Sequence, residues 1–153
     1  MIAHCINWIV YPSAFFFLDI VLKGLAYKQF FYCTLIATIT SIVRTSSWNH
    51  CIFLFTLLVL QSSFDATYSA LITVIWIAIL TLSYQLKRNF IDKPFFPYAL
   101  LMICLGTKII VLSLFFGIKP CNLVYTIGQF LGNLLVLSFS LKLISAVKAS
   151  NRL

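Results

Sequence analysis

The sequence predicts an all-α, polytopic membrane helix bundle, and three observations carry that prediction. The chain is 62% hydrophobic over 153 residues, with a mean hydropathy of +1.05, whereas soluble domains run at about 45–50% apolar. A soluble domain this small leaves much of its surface exposed, so apolar surface on this scale calls for lipid as its solvent. Second, the apolar residues fall into six long runs, near 5–22, 27–43, 48–64, 67–84, 95–117 and 122–147. These runs do not alternate polar and apolar, as the strands of a membrane barrel would. Third, charged residues make up only 9% of the chain and lie mostly in the short connections between runs. Residues 1–153 therefore read as one integral membrane domain.

A spanning helix needs about 20 residues, within a range of about 17–25. The second and third runs sit at the short end, so six crossings are expected, with four crossings plus a re-entrant pair as the alternative. The first run lacks a Lys/Arg-rich start and a small-x-small end, which reads as a retained helix and not a cleaved signal. Pro12 interrupts its hydrogen-bond ladder and is expected to kink it. The connections "KGLAYK" (Lys23–Lys28) and "RTSSWNH" (Arg44–His50) bound the second run. "SSFDATYS" (Ser62–Ser69) forms a tight hairpin between the third and fourth. "LKRNFIDKPFFP" (Leu86–Pro97) precedes the fifth run, with Pro94 where a helix can begin without losing a hydrogen bond. "GIKPCN" (Gly117–Asn122) precedes the sixth.

The positive-inside rule orients the bundle. With the N-terminus inside, Arg44, Lys87, Arg88, Lys93, Lys148 and Arg152 fall on the cytoplasmic side, and Lys23, Lys28 and Lys119 fall outside. The expected placement is thus a cell inner membrane, multi-pass, with both tails inside. The net charge of +8 reflects a shortage of acids, three against eleven Lys and Arg. Basic residues scattered singly or in pairs do not make the contiguous face that nucleic acid requires, so lipid is the expected partner.

Asp19, Asp65 and Lys108 are the unusual charges. The chosen orientation puts all three in the outer half of the bundle. Lys108 lies near the middle of "ALLMICLGTKIIVLSLFFG" (Ala99–Gly117), where an isolated charge costs at least about 2.5–3.5 kcal/mol on insertion scales. The reading is a buried ion pair in which Lys108 faces the interior and bonds Asp19 first, Asp65 second. The competing readings are outward snorkelling of Lys108 and an Asp19–Lys23 pair on one helix face. In the sixth run, Gly128 and Gly132 form a GxxxG that permits close helix approach. Gln129 and Asn133 lie beside it and are expected to make interhelical hydrogen bonds. These four residues are the candidate helix-packing or partner face. Aromatics near run ends read as interface anchors, and those elsewhere as lipid-facing bulk.

No catalytic set is evident. There is no GxSxG, HExxH, phosphate-binding glycine loop or carboxylate dyad. "FFLDIVLKG" (Phe16–Gly24) resembles the Asp-xxx-Lys of lipoprotein signal peptidases, but Asp65 and Asp92 do not supply the two later catalytic aspartates. Five scattered cysteines without CxxC spacing read as small buried residues. His4 and His50, taken as terminal or loop residues, do not make a metal site. No catalytic, cofactor or metal residue is assigned.

The order of short helices, an acid ending the third (Asp65), the basic "YQLKRN" (Tyr84–Asn89) after the fourth and Asn133 in "LGNLLVL" (Leu131–Leu137) resembles MreD. MreD is the small inner-membrane protein of the bacterial rod-shape complex. The resemblance extends over essentially the whole chain. It implies a non-enzymatic scaffold that binds an MreC-like bitopic protein and couples the cytoplasmic cell-shape cytoskeleton to peptidoglycan elongation. Two other classes fit the composition: the substrate-binding membrane subunit of a vitamin or metal importer, and an accessory subunit of a large membrane complex.

Overall fold

The computed structural model describes residues 9–25, 31–44, 47–63, 69–87, 94–117 and 123–150, the last four of these by backbone alone. Among the described residues the structure is all-helical. The six α-helices are α1 (Tyr11–Leu25), α2 (Cys33–Arg44), α3 (Trp48–Ser63), α4 (Ser69–Leu86), α5 (Phe96–Phe116) and α6 (Leu123–Ser150). Three are long and apolar enough to cross a membrane: α4, α5 and α6 over Leu123–Ala146.

Of the other three, α2 is shorter than the run that predicts it. α2 is 12 residues long, about 18 Å at 1.5 Å per residue, against a hydrocarbon core of about 30 Å. The apolar run suggests a start near Tyr27, yet the helix starts at Cys33. Sequence periodicity marks where a helix can exist; the acceptors described below decide where this one starts. In α1, Ile9 and Val10 are wound as a π turn immediately before the α-helical residues, and Pro12 is the second of these. The disturbed ladder expected of the proline therefore lies at the beginning of the helix and not within it. In α5 the first-turn proline is Pro97 and not Pro94. Gly117 ends the same helix in the left-handed region at φ 61°, where its N–H bonds the Leu112 carbonyl. Glycine is favoured there because it carries no Cβ.

α2 is the axis of the bundle. It packs against all five other helices, and the outer helices meet in the sequence α1, α3, α4, α5, α6. Every residue from Cys33 to Ile42 is buried. The core is built on it: Leu35, Ile36, Ile39 and Ile42 join Leu54, Leu58, Leu80, Leu101 and Leu137 in one cluster. A helix enclosed on all sides must bury its polar side as well, and in "CTLIATITSIVR" Thr34, Thr38 and Ser41 line one face and are all buried. Two of its hydroxyls turn back on the backbone. Thr38 donates to the Thr34 carbonyl at 2.8 Å and Thr40 to the Ala37 carbonyl at 3.0 Å. Small side chains of this kind let neighbouring helices approach closely, the main source of association where lipid supplies no hydrophobic drive.

The outer helices each divide into a buried row and an exposed, apolar row. In α6, Asn133, Leu137, Ser140 and Ile144 face inward at helical spacing, while Val124, Leu131, Leu135 and Phe139 are exposed. In α5 the inward row is Pro97, Leu101, Cys104 and Val111, and Leu114 and Phe115 are among the most exposed side chains. This division makes a prediction. Ile39→Val, a trimmed methylene at 0% exposure, is expected to cost about 1 kcal/mol through the void it leaves. Leu114→Val should cost close to nothing. Paired unfolding titrations in mixed micelles check both, and equal effects would contradict the inward placement of α2.

Candidate functional site: the polar node at the start of α2

The first N–H groups of a helix have no partner within it, and those of α2 are buried. Two neighbouring helices answer them. Asp19, on α1, accepts from the backbone N–H of Cys33 through Oδ1 at 3.2 Å and from that of Thr34 through Oδ2 at 3.1 Å. Asn133, on α6, accepts from the N–H of Tyr32 through Oδ1 at 2.9 Å. Both side chains are 0% exposed. Asp19 thus does for α2 what an N-cap residue does locally, from a different helix, and its charge lies at the positive end of the α2 dipole.

Further bonds fix the two acceptors. Gln61, near the end of α3, donates through Nε2 to Asp19 Oδ2 at 2.5 Å. Asn133 gives its own Nδ2 to the Gln129 carbonyl one turn back, at 2.7 Å. That bond assigns the amide orientation, leaving the oxygen for Tyr32. Gln129 reaches the Tyr32 hydroxyl at 3.3 Å. Tyr32 itself is 2% exposed and meets Trp76 edge to face, centroids 5.6 Å apart. Trp76 in turn donates its indole N–H to the Cys104 carbonyl at 2.7 Å. The node therefore ties α1, α2, α3, α4, α5 and α6 together around one helix end.

The sequence-predicted residues are distributed unevenly over this node. Lys108 occupies the inward row of α5, four residues after Cys104 and three before Val111, and is half-buried. Its Nζ stands 4.3 Å from the centroid of the Tyr32 ring, within the range of a cation–π contact. The expected Lys108–Asp19 pair is not what forms. The carboxylate is taken by the α2 N–H groups and Gln61, while the ammonium lies on an aromatic face. Lys23 is within electrostatic reach of Asp19, as helical spacing suggests, but the hydrogen bonds described for the carboxylate come from elsewhere. Asp65 lies outside the described residues. Gln129 and Asn133 both bond Tyr32 across the α2–α6 contact, so their amides serve packing within the chain. Gly128 and Gly132 are half-buried; Gly128, four residues after Val124 and three before Leu131, is in line with the exposed row of α6, and Gly132 lies beside it.

Several members of the node have no signal in the sequence reading. Tyr32 ends an aromatic stretch that suggests an interface anchor, and Trp76 lies in a run that suggests lipid-facing bulk, yet both are buried. Gln61 is the one member whose isolation as an amide at the end of an apolar run marks it. His50, taken as a loop residue, is a buried member of the first turn of α3 and stacks on Phe53. Cys33, Cys51 and Cys104 are buried and free.

At the other end of α2, the Tyr11 hydroxyl lies 3.1 Å from Thr40 Oγ1, joining α1 to the last turn. Fold and node together define a helical bundle organised around one buried helix, with three helices long and apolar enough to cross a membrane. Comparison with protein-family models, with curated proteins and with solved structures returned no match to this chain.

Proposed function

We propose that this chain is a non-enzymatic membrane scaffold of the MreD kind, acting through helix faces toward a bitopic, MreC-like partner in cell-wall elongation and cell-shape maintenance. One observation carries the scaffold part of this reading: the acid and the amides of the interior are committed to holding α2. Asp19 and Asn133 are fully enclosed and their acceptor oxygens lie on backbone N–H groups. A substrate-binding importer subunit would instead turn such groups toward a water-filled path. The resemblance of Asp65, "YQLKRN" and Asn133 to MreD supports the particular assignment.

On this reading the chain lies in a cell inner membrane with both tails in the cytoplasm. Six crossings accommodate the short α2. Its end at Arg44 is exposed, as a charge at a water-facing end is, and its start sits inside the bundle on acceptors supplied by α1 and α6. Gly128 and Gly132, beside the exposed row of α6, are the proposed contact for a partner helix.

The test is purification of the full chain from its native membrane in mild detergent, followed by identification of what accompanies it. The expected companions are a bitopic membrane protein and the peptidoglycan-elongating polymerase, both diminished by Gly128→Leu. Recovery of a nucleotide-hydrolysing importer in their place would replace this reading with the transport one.

A further inference from the structure

Beyond the scaffold reading, and independent of it, we propose that Lys108 and Tyr32, flanked by Gln129 and Lys23, form a binding site for a phosphate oxyanion at the end of the bundle where α2 begins. The first consideration is depth. α2 starts level with Asp19, because that carboxylate holds its first N–H groups. α1 runs on for six more residues to Leu25, about 9 Å, and α5 runs eight residues beyond Lys108 to Phe116, about 12 Å. The start of α2 is therefore set below the ends of α1 and α5, and Lys108 projects inward at that level.

The second consideration is donor capacity. An ammonium carries three N–H donors. The Tyr32 ring attracts the charge of Lys108 through its face but provides no oxygen acceptor. Tyr32 accepts at its hydroxyl from Gln129, which leaves its own O–H to give. Two donors of different kinds thus meet at one place. The third consideration is charge. The ammonium groups of Lys23 and Lys108 lie within electrostatic reach of each other. Among the described residues Lys108 makes no ion pair: the carboxylate described at this end, Asp19, is engaged by N–H donors. An oxyanion lying between Lys108 and the Tyr32 hydroxyl would sit in the positive field of both ammonium groups and take charge-assisted hydrogen bonds, in which lysine serves phosphate as a point charge. Lipid headgroups and free phosphate present the same chemistry.

The full chain is tested in two settings, with the thermal midpoint read from tryptophan fluorescence, since Trp76 touches Tyr32. In neutral detergent, inorganic phosphate is titrated against chloride at matched ionic strength. In nanodiscs, phosphatidylcholine is compared with a phosphatidylcholine–phosphatidylglycerol mixture. A rise of a few degrees with phosphate in detergent identifies a free-ion site. A rise in the phosphatidylglycerol discs alone identifies a lipid headgroup as the source. Either rise should be lost in Lys108→Met and kept in Lys108→Arg, with apparent affinity in the methionine variant weaker by at least about tenfold. Tyr32→Phe, which removes only the hydroxyl, gives a second reading should Lys108→Met fail to fold, and a several-fold weakening is expected. No rise in either setting overturns the proposal, as does a rise undiminished in these variants. So does equal destabilisation by Lys108→Met and Asp65→Asn with no further loss in the double variant, because the counter-ion of Lys108 would then be internal.

Discussion

Asp19→Ala is expected to destabilise the bundle by about 3–5 kcal/mol, the largest effect of any single side chain here. Three donors converge on that carboxylate: the N–H groups of Cys33 and Thr34 and the amide of Gln61. A buried donor stranded without an acceptor costs about 1–3 kcal/mol, and loss of an ordinary helix cap costs about 0.5–2 kcal/mol. The site is 0% exposed, so bulk water is not at hand to replace the lost acceptor. Asp19→Asn separates charge from hydrogen bonding. Its amide oxygen can still accept from one backbone N–H, but its NH₂ then confronts another donor, and an intermediate loss of about 2 kcal/mol is expected. Unfolding in dodecyl maltoside–SDS mixtures measures both. A loss below about 1 kcal/mol for the alanine variant would show that the start of α2 finds other acceptors, and the node as described would be wrong.

Asn133→Leu should come next, at about 2–3 kcal/mol, although leucine suits an apolar helix better than asparagine does. The gain in apolar surface is small where lipid is the alternative environment. The Tyr32 N–H loses its acceptor inside a low-dielectric interior, which is the expensive event. The stronger claim concerns the pair. Asp19 and Asn133 hold N–H groups of the same turn from two different neighbours. Once one is gone and the turn frays, the other has less to hold. The double variant should therefore lose less than the sum of the single losses, with a coupling of about 1 kcal/mol. Strict additivity in the double-mutant cycle would mean that the two residues act on separate parts of the structure.

Much of the architecture is legible in the residues. The six apolar runs locate all six helices, and the ends of α3, α4, α5 and α6 fall within three residues of where composition puts them. The site is less legible. Asp19, Lys108, Gln129 and Asn133 stand out because each is a polar side chain in an apolar run, and all four lie around the start of α2. Their pairing is another matter. Opposite charges at similar depth suggest an ion pair, whereas Asp19 finds backbone donors and Lys108 an aromatic face. A sequence reading lists side-chain donors readily but does not show which backbone N–H groups will be orphaned and buried.

The sequence by itself determined the helical class of this protein, the apolar character of its helices and the approximate extent of most of them, because those follow from composition and from the need to satisfy backbone hydrogen bonds within a segment. Only the tertiary structure decided that α2 is the enclosed axis, that it begins six residues later than its apolar run, and that Tyr32 and Trp76 face inward. Burial of a helix end depends on which neighbours surround it, and the acceptors that fix its first turn come from residues 14 and 101 positions away in the chain.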